Sequence, residues 1–366
     1  MKVFIVVVVL FLFIALLMGI KMIPEGGKGM FRASTHAPEL IGGEADWINS
    51  PPLNIKNIRG KVVLVDFWDY TCVNCIRTLP YVNEWHKRYA KDGLVIIGVH
   101  TPEFEFAKNR ANVLEAVKHL GVAYPVLVDS LYKNWDAYAN HYWPAKYLID
   151  KDGLIVYEHF GEGNYGDTEA RIQQLLKKAN PHFVAPPLMG TVRGSDKPGA
   201  VCYPTTHEIY AGYSRGELGN SGGLKADQSA NYVDSGNHRE GILYASGQYL
   251  ARSENILHSR QTVEPEDYIA LKYRAKEVNA VIKSEKGATF RVYLTQDGKP
   301  IGKEDKGEDV LYDEQGRSYI QVTAPRMYNL VINNKYGDHD LHLSSPSDSF
   351  ALYSFTFSSC EVPGGG

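Results

Sequence analysis

The chain has 366 residues, 44% hydrophobic and 22% charged, which describes a folded protein too long for one ordinary domain. Its 39 basic and 42 acidic residues leave a net charge of −3, with no nucleic-acid footprint. Four cysteines in a chain of this size do not make a disulfide scaffold.

Val3 to Ile20 is an apolar run with one glycine, bracketed by Lys2 and Lys21. As a helix it is about 27 Å long, enough to cross a bilayer with little tilt. Residues 1–22 are therefore expected to form a signal-anchor transmembrane helix. A cleaved signal peptide competes with this reading, but Met18-Gly19-Ile20-Lys21-Met22 lacks the small residues a cleavage site needs. No cysteine comes directly after it, which excludes a lipoprotein anchor. Lys21, Lys28 and Arg32 outnumber Lys2, against the positive-inside rule. A short segment with almost nothing before it still exports the polypeptide on its C-terminal side. The chain is thus expected to cross the cell membrane once, with both folded domains on the extracytoplasmic side.

Residues 36–180 alternate between strand and helix signals. Lys61 to Phe67 reads as a buried strand. Ile76, Leu79, Val82, Trp85 and Tyr89 recur at helical spacing, and Asp92-Gly93 ends that helix. Leu94 to Val99 is a second strand. Phe104, Ala107, Ala111, Leu114, Val117 and Leu120 predict one helix, stopped at Gly121. Tyr124 to Val128 is a strand, Leu131 to His141 a short helix, and Lys146–Ile149 with Leu154–Tyr157 a hairpin around Asp152-Gly153. Ile172, Leu175 and Leu176 mark a closing helix.

At the first strand-to-helix junction stands Cys72-Val-Asn-Cys75. A thiol at a helix N-terminus meets unpaired N–H groups and the positive end of the dipole, which favour its thiolate. The second thiol lies one turn on, close enough to form a disulfide. Zinc would need a second ligand pair, and neither Cys202 nor Cys360 has one at motif spacing, so no metal site is expected. Haem attachment needs a histidine after the second cysteine, where Ile76 stands. A peroxidatic site would want Pro, Thr or Ser at set offsets upstream, where Val65 and Asp69 stand. Asp66 lies inside the apolar run before the dithiol, where an acid is costly unless it serves something.

Residues 181–200, rich in Pro, Gly and Lys, read as a linker. Residues 201–362 then carry many short alternating runs. Among them are Tyr268–Tyr273, Val278–Ile282, Phe290–Leu294, Tyr328–Ile332, Leu341–Leu343 and Phe350–Phe357. Gly, Asp and Asn turns separate them, which predicts an all-β sandwich resembling a jelly roll. Cys202 and Cys360 stand at its two ends. In an oxidising compartment they are expected to pair as a structural disulfide, leaving no orphan thiol.

Asp66-Phe-Trp-Asp-Tyr-Thr-Cys72-Val-Asn-Cys75, Pro80 and Trp143-Pro144 resemble the thioredoxin superfamily, nearest its extracytoplasmic, membrane-anchored TlpA-like group. With Trp47-Ile-Asn-Ser-Pro-Pro-Leu53, Gly98-Val-His-Thr-Pro-Glu-Phe104 and Tyr142-Trp-Pro-Ala145, the chain looks most like the C-terminal region of DipZ-type proteins. That resemblance implies a thioredoxin-like domain followed by a β-sandwich. DipZ-type proteins carry a multi-helix membrane domain before this region, whereas here the apolar pattern provides one span.

The resemblance also implies roles. Cys72 attacks, Cys75 resolves and Asp66 relays the proton. Pro144 is the cis-proline facing the dithiol. Pro144, Trp143 and Trp68 are the expected substrate-binding residues, Pro144 offering its flanking backbone to an extended substrate and Trp68 packed beside the dithiol. No cofactor is implied. The expected partners are disulfide-containing proteins outside the cytoplasm and a separate CcdA/DsbD-like membrane electron donor. Thr71 replaces the tryptophan that thioredoxins carry before the first cysteine, and Thr78 stands where haem-maturation relatives have an acid. His100 and Glu103 read as a solvated loop beside the site. A peroxide-handling antioxidant and a glycan-binding surface protein with an incidental dithiol are the alternatives. The second fails to bring its usual platform, because all five tryptophans precede residue 150.

Overall fold

A computed structural model describes residues 35–361. The proposed anchor, residues 1–22, lies outside them. Among the described residues no helix is long and apolar enough to cross a membrane.

The first part is built on a seven-stranded sheet. Its strands are β1 (Thr35–His36), β2 (Trp47–Ile48), β3 (Val62–Trp68), β4 (Leu94–His100), β5 (Val126–Val128), β6 (Ala145–Ile149) and β7 (Leu154–Phe160). They lie in the order β1-β7-β6-β3-β4-β5-β2, which puts β3 at the centre. The β3–β4 and β4–β5 pairs are parallel, and β3–β6 and β6–β7 are antiparallel. The helices are α1 (Val73–Tyr89), α2 (Arg110–His119), α3 (Lys133–Ala137) and α4 (Tyr165–Ala179). A βαβ crossover, then a hairpin and a final helix, makes the thioredoxin-like fold.

Alternation along β3 sorts its side chains between two cores. Val62, Leu64 and Trp68 pack with Leu79, Val82 and Trp85 of α1 and Ile172 and Leu176 of α4. Val63, Val65 and Phe67 face the other way, against Ile97, Val99, Tyr138 and Tyr147. Asp66 therefore points to the α1 side, where Cys75 is buried.

The helix predicted over residues 104–120 is broken. A single turn at Glu105–Lys108 is followed by Asn109 in extended backbone, whose side chain accepts from Ala111 N and caps α2. Capping there satisfies a backbone donor and sets a new helix axis.

The second part holds an eleven-stranded antiparallel ladder, continuous rather than divided into two sheets. Two strands join what the sequence pattern divides. Residues read as separate runs at 268–273 and 278–282 form one strand, Tyr268–Ser284, and those at 328–332 and 341–343 form another, Arg326–Ser344. The charged stretches inside them look like turns, yet they stay extended because the two strands pair with each other through bulges near Ala275 and Val278. Length lets Tyr268–Ser284 also pair with Leu243–Ala251 at one end and Phe350–Ser358 at the other.

The segment read as a linker is mostly exposed but anchored at points. Phe183 is buried in the α1-side core, and Tyr81 Oη donates to Asp196 Oδ2 at 2.7 Å. The two parts share that core, since Leu257, Val281, Ala351 and Tyr353 of the second part join Phe104, Phe106 and Cys75 of the first.

Cys202 and Cys360 form a disulfide, with Cα atoms 3.9 Å apart and a sequence separation of 158. They lie on a separate two-stranded pair, outside the eleven-stranded ladder. In the chain-entropy model a loop of that length stabilises the folded state by about 5 kcal/mol. Replacing both cysteines by serine is expected to lower the unfolding midpoint in guanidinium with the slope unchanged. An unaltered midpoint would mean the bridge does not constrain the unfolded chain.

Candidate active site

Cys72 is the N-cap of α1. Its backbone N–H donates to Asp69 O at 3.2 Å, and its Sγ accepts from Cys75 N at 3.2 Å. The cap position leaves Cys72 half-buried with the Cys75 N–H aimed at its sulfur. Cys75, one turn on, is 1% exposed. The two sulfurs are unbonded and 2.6 Å apart. Burial first, then the hydrogen bond to Cys72, push the Cys75 thiol well above its ordinary range. The pair thus divides into a half-buried thiol at the helix cap and a buried one.

Asp66 is fully buried on the same side of β3, and its charge raises the Cys75 thiol further. Burial lifts the Asp66 carboxyl from 3.8 to about 6, against a counter-pull from Lys146. Lys146 pairs with Asp66 across β3 and β6, and its Nζ lies 3.6 Å from Asp66 Oδ1. That distance is an ion pair rather than a hydrogen bond. A base near 6 is mostly ionised at neutral pH and ready to accept a thiol proton.

Sequence reasoning missed Lys146. The signal was there: a lone cation in the apolar strand Ala145-Lys-Tyr-Leu-Ile149, as costly to bury as Asp66. Only the strand register brings the two together.

Trp68 is wholly buried, so it packs under the dithiol in the same core as Cys75 and offers no surface to a partner. Across from Asp66 on β4 stands Gly98, where a Cβ would come within 2.9 Å of Trp68 Nε1 and 3.0 Å of the Tyr124 ring. Trp143 is half-buried against the same core, and its Nε1 donates to Thr101 O at 3.0 Å. The Trp143–Pro144 peptide is cis, and Pro144 itself is buried. Thr78 is buried, with its hydroxyl 3.3 Å from Tyr165 Oη.

His100 and Glu103 are not the solvated loop the sequence suggests. His100 is fully buried, its Nε2 2.9 Å from Asp69 Oδ1. Asp69 also accepts from Thr71 Oγ1 at 2.6 Å and Glu103 N at 3.0 Å. This network pins the turn leading into Cys72. The Glu103 carboxylate accepts from Tyr210 Oη at 2.9 Å and pairs with Arg215 at 3.0 Å, both from the second part, which covers this loop.

Burial first, then Glu208 and Asp69, raise Glu103 from 4.5 to about 7. A carboxyl raised on folding costs stability as pH climbs from about 4.5 to about 7. Glu103→Gln is therefore expected to stabilise the protein at pH 8, by up to about 3 kcal/mol, and to change little at pH 4. Thermal melts at the two pH values check this.

Among the described residues the cluster with the donor set to hold a metal lies in the second part, at His238, Asp340 and His342.

Comparison with known proteins agrees with this geometry. Residues 37–158 match the AhpC/TSA family, and residues 206–358 match the thioredoxin-like C-terminal domain. Protein DipZ of Mycobacterium tuberculosis is 33% identical over 336 residues, 90% of this chain and 44% of DipZ. The chain thus spans under half the length of that relative. Thiol-disulfide oxidoreductase YkuV of Bacillus subtilis is 33% identical over 141 residues, 38% of this chain and 93% of YkuV. ResA of Bacillus thuringiensis, another thiol-disulfide oxidoreductase, is 32% identical over 129 residues, 35% of this chain and 69% of ResA. Through a fold centred on β3, a Cys-x-x-Cys at the N-cap of α1 and these likenesses, the chain belongs to the thioredoxin-like thiol–disulfide oxidoreductases.

Proposed function

We propose that this chain is a membrane-tethered, extracytoplasmic reductase of partner-protein disulfides. The observation that carries the reading is the asymmetry of the dithiol. Cys72 is half-buried at a helix cap, while Cys75 is buried above a carboxyl held at about 6. Cys72 thiolate attacks a partner disulfide and forms a mixed disulfide. Cys75, losing its proton toward Asp66, attacks Cys72 and releases the reduced partner. Val73-Asn74 places no histidine between the cysteines to stabilise a thiolate product, which favours reduction over oxidation.

The apolar run from Val3 to Ile20 supports tethering, and the Cys202–Cys360 bridge supports an oxidising compartment. Electrons would come from a separate CcdA/DsbD-like membrane protein. The second part shapes the surface beside the dithiol, since it packs on the loop that carries Glu103.

Full-length protein with dithiothreitol should accelerate reduction of insulin disulfides, should not consume hydrogen peroxide at a comparable rate, and should not be retained on glycan resins. Peroxide turnover without insulin reduction would replace this reading with the antioxidant one. Protease accessibility of the folded parts in intact spheroplasts tests the topology.

A further inference from the structure

The turn that carries the active dithiol and the Cys202–Cys360 bridge border one cleft. Its volume is about 240 Å³, and its walls include Asn74, Arg77, Cys202, Tyr203, Ser359 and Cys360. Asn74 sits between the two active cysteines on the first turn of α1. Both cysteines of the bridge belong to the same set of walls. The clamp between the two regions is short. Arg77 Nη2 bonds Glu277 Oε2 at 3.1 Å, and Ser358 Oγ donates to that same oxygen at 2.7 Å. Ser358 is two residues from Cys360. One carboxylate therefore ties the turn after Cys75 to the strand that leads into the bridge.

The bridge itself is not placed as a core staple. Cys202 is exposed and Cys360 half-buried, and neither belongs to a hydrophobic core cluster. An accessible disulfide on the same cleft as the first turn of α1 offers an approachable sulfur to an attacking thiolate, and exchange requires Cys72, which does not itself line the cleft, to reach across it.

We propose that the Cys202–Cys360 bridge is an internal redox partner of the Cys72–Cys75 dithiol. The proposal rests on the dithiol acting as a reductant. Cys72 thiolate attacks one bridge sulfur, the Cys202–Cys360 bond breaks, and the other bridge cysteine leaves as a thiolate that takes up a proton. Cys75 then gives up its proton and attacks Cys72. The Cys72–Cys75 disulfide forms and the remaining bridge cysteine is released as a thiol. Two electrons pass from the dithiol to the bridge, and two thiol protons are conserved. The reduced bridge leaves a second dithiol facing the cleft. Being intramolecular, the exchange proceeds at a rate independent of protein concentration.

The test uses the full chain with limiting dithiothreitol. Samples are acid-quenched and alkylated, and Cys202 and Cys360 thiols are counted by peptide mass spectrometry. The rate of their appearance is compared between wild type and Cys72→Ser, with insulin reduction measured on the same samples. The expected result is bridge opening about tenfold faster in wild type, at a rate independent of protein concentration. Equal rates in the two proteins, with insulin reduction intact in wild type, overturn the relay alone. A rate that falls on dilution also overturns it, by making the exchange intermolecular. Failure of wild type to reduce insulin overturns the reductase reading instead.

Discussion

Cys72→Ser is expected to abolish insulin reduction, while Cys75→Ser accumulates mixed disulfides through Cys72. The two substitutions remove the same kind of atom, so the difference comes from place. Cys72 caps α1 with its sulfur receiving the Cys75 N–H, and it alone of the pair is accessible. Without it there is no attacking thiolate, and the rate should fall to that of dithiothreitol alone. Cys75 is buried and acts only on Cys72, so its loss stalls the cycle after the first step. Non-reducing gels of Cys75→Ser with insulin should show a covalent adduct that reductant releases. If differential alkylation instead finds Cys75 the faster-reacting thiol, the roles are reversed and this mechanism fails.

Asp66→Asn is expected to stabilise the protein and slow it at once. Holding the carboxyl at about 6 rather than 3.8 corresponds to about 3 kcal/mol at neutral pH. Because the folded value lies above the unfolded one, stability from this group is full below about pH 4 and is lost as pH rises to about 6. The asparagine variant does not suffer that loss. Its excess stability should be near zero at pH 4 and largest at pH 7 and above. Burial outweighs the attraction of Lys146 at Asp66, but the substitution also leaves the buried Lys146 ammonium without its carboxylate, so the net gain falls below what the Asp66 shift alone gives.

Turnover moves the other way. Without a base for the Cys75 proton, resolution should slow by roughly 10²-fold near neutral pH, and the activity limb near pH 6 should disappear. Lys146→Met removes the group that holds Asp66 down, so its limb should shift to higher pH with activity recovering in alkali. Stopped-flow release of a mixed disulfide across pH 5 to 9, about two units either side of neutrality, measures all three proteins. An unchanged profile in Asp66→Asn would leave Asp66 a structural residue.

Most of the site's covalent chemistry was legible because it is local. Cys72 and Cys75 are three residues apart, and an acid stranded in Val-Val-Leu-Val-Asp66-Phe-Trp declares its cost without any neighbour. What was hidden depends on partners distant in sequence. Lys146 acquires its meaning from the β3–β6 register. His100 and Glu103 look like loop residues until Asp69 gathers one and Tyr210 with Arg215 covers the other. The break at Asn109 is invisible to periodicity, because apolar spacing continues through it while the cap restarts the helix. In the second part, Arg274-Ala-Lys-Glu277 and Asn333-Asn-Lys-Tyr-Gly-Asp338 carry the polar signature of turns. Arg274 and Ala275 pair with Asp338 and Gly337, Glu277 pairs with Ile332, and Asn333 to Tyr336 fall in the bulge between; pairing across more than fifty residues overrides local preference.

The core that joins the two parts bears on how this protein's genetics would read. Tyr353 packs against Phe104 at 5.2 Å and Phe106 at 4.8 Å, and Phe106 touches Tyr70, two residues before Cys72. A defect at Tyr353 would reach the turn that presents the thiol, although Tyr353 lies on a strand of the all-β part. A loss-of-function screen would therefore score such alleles as redox mutants. Complementation by separately expressed halves would fail, since each half would expose apolar surface that the other now covers.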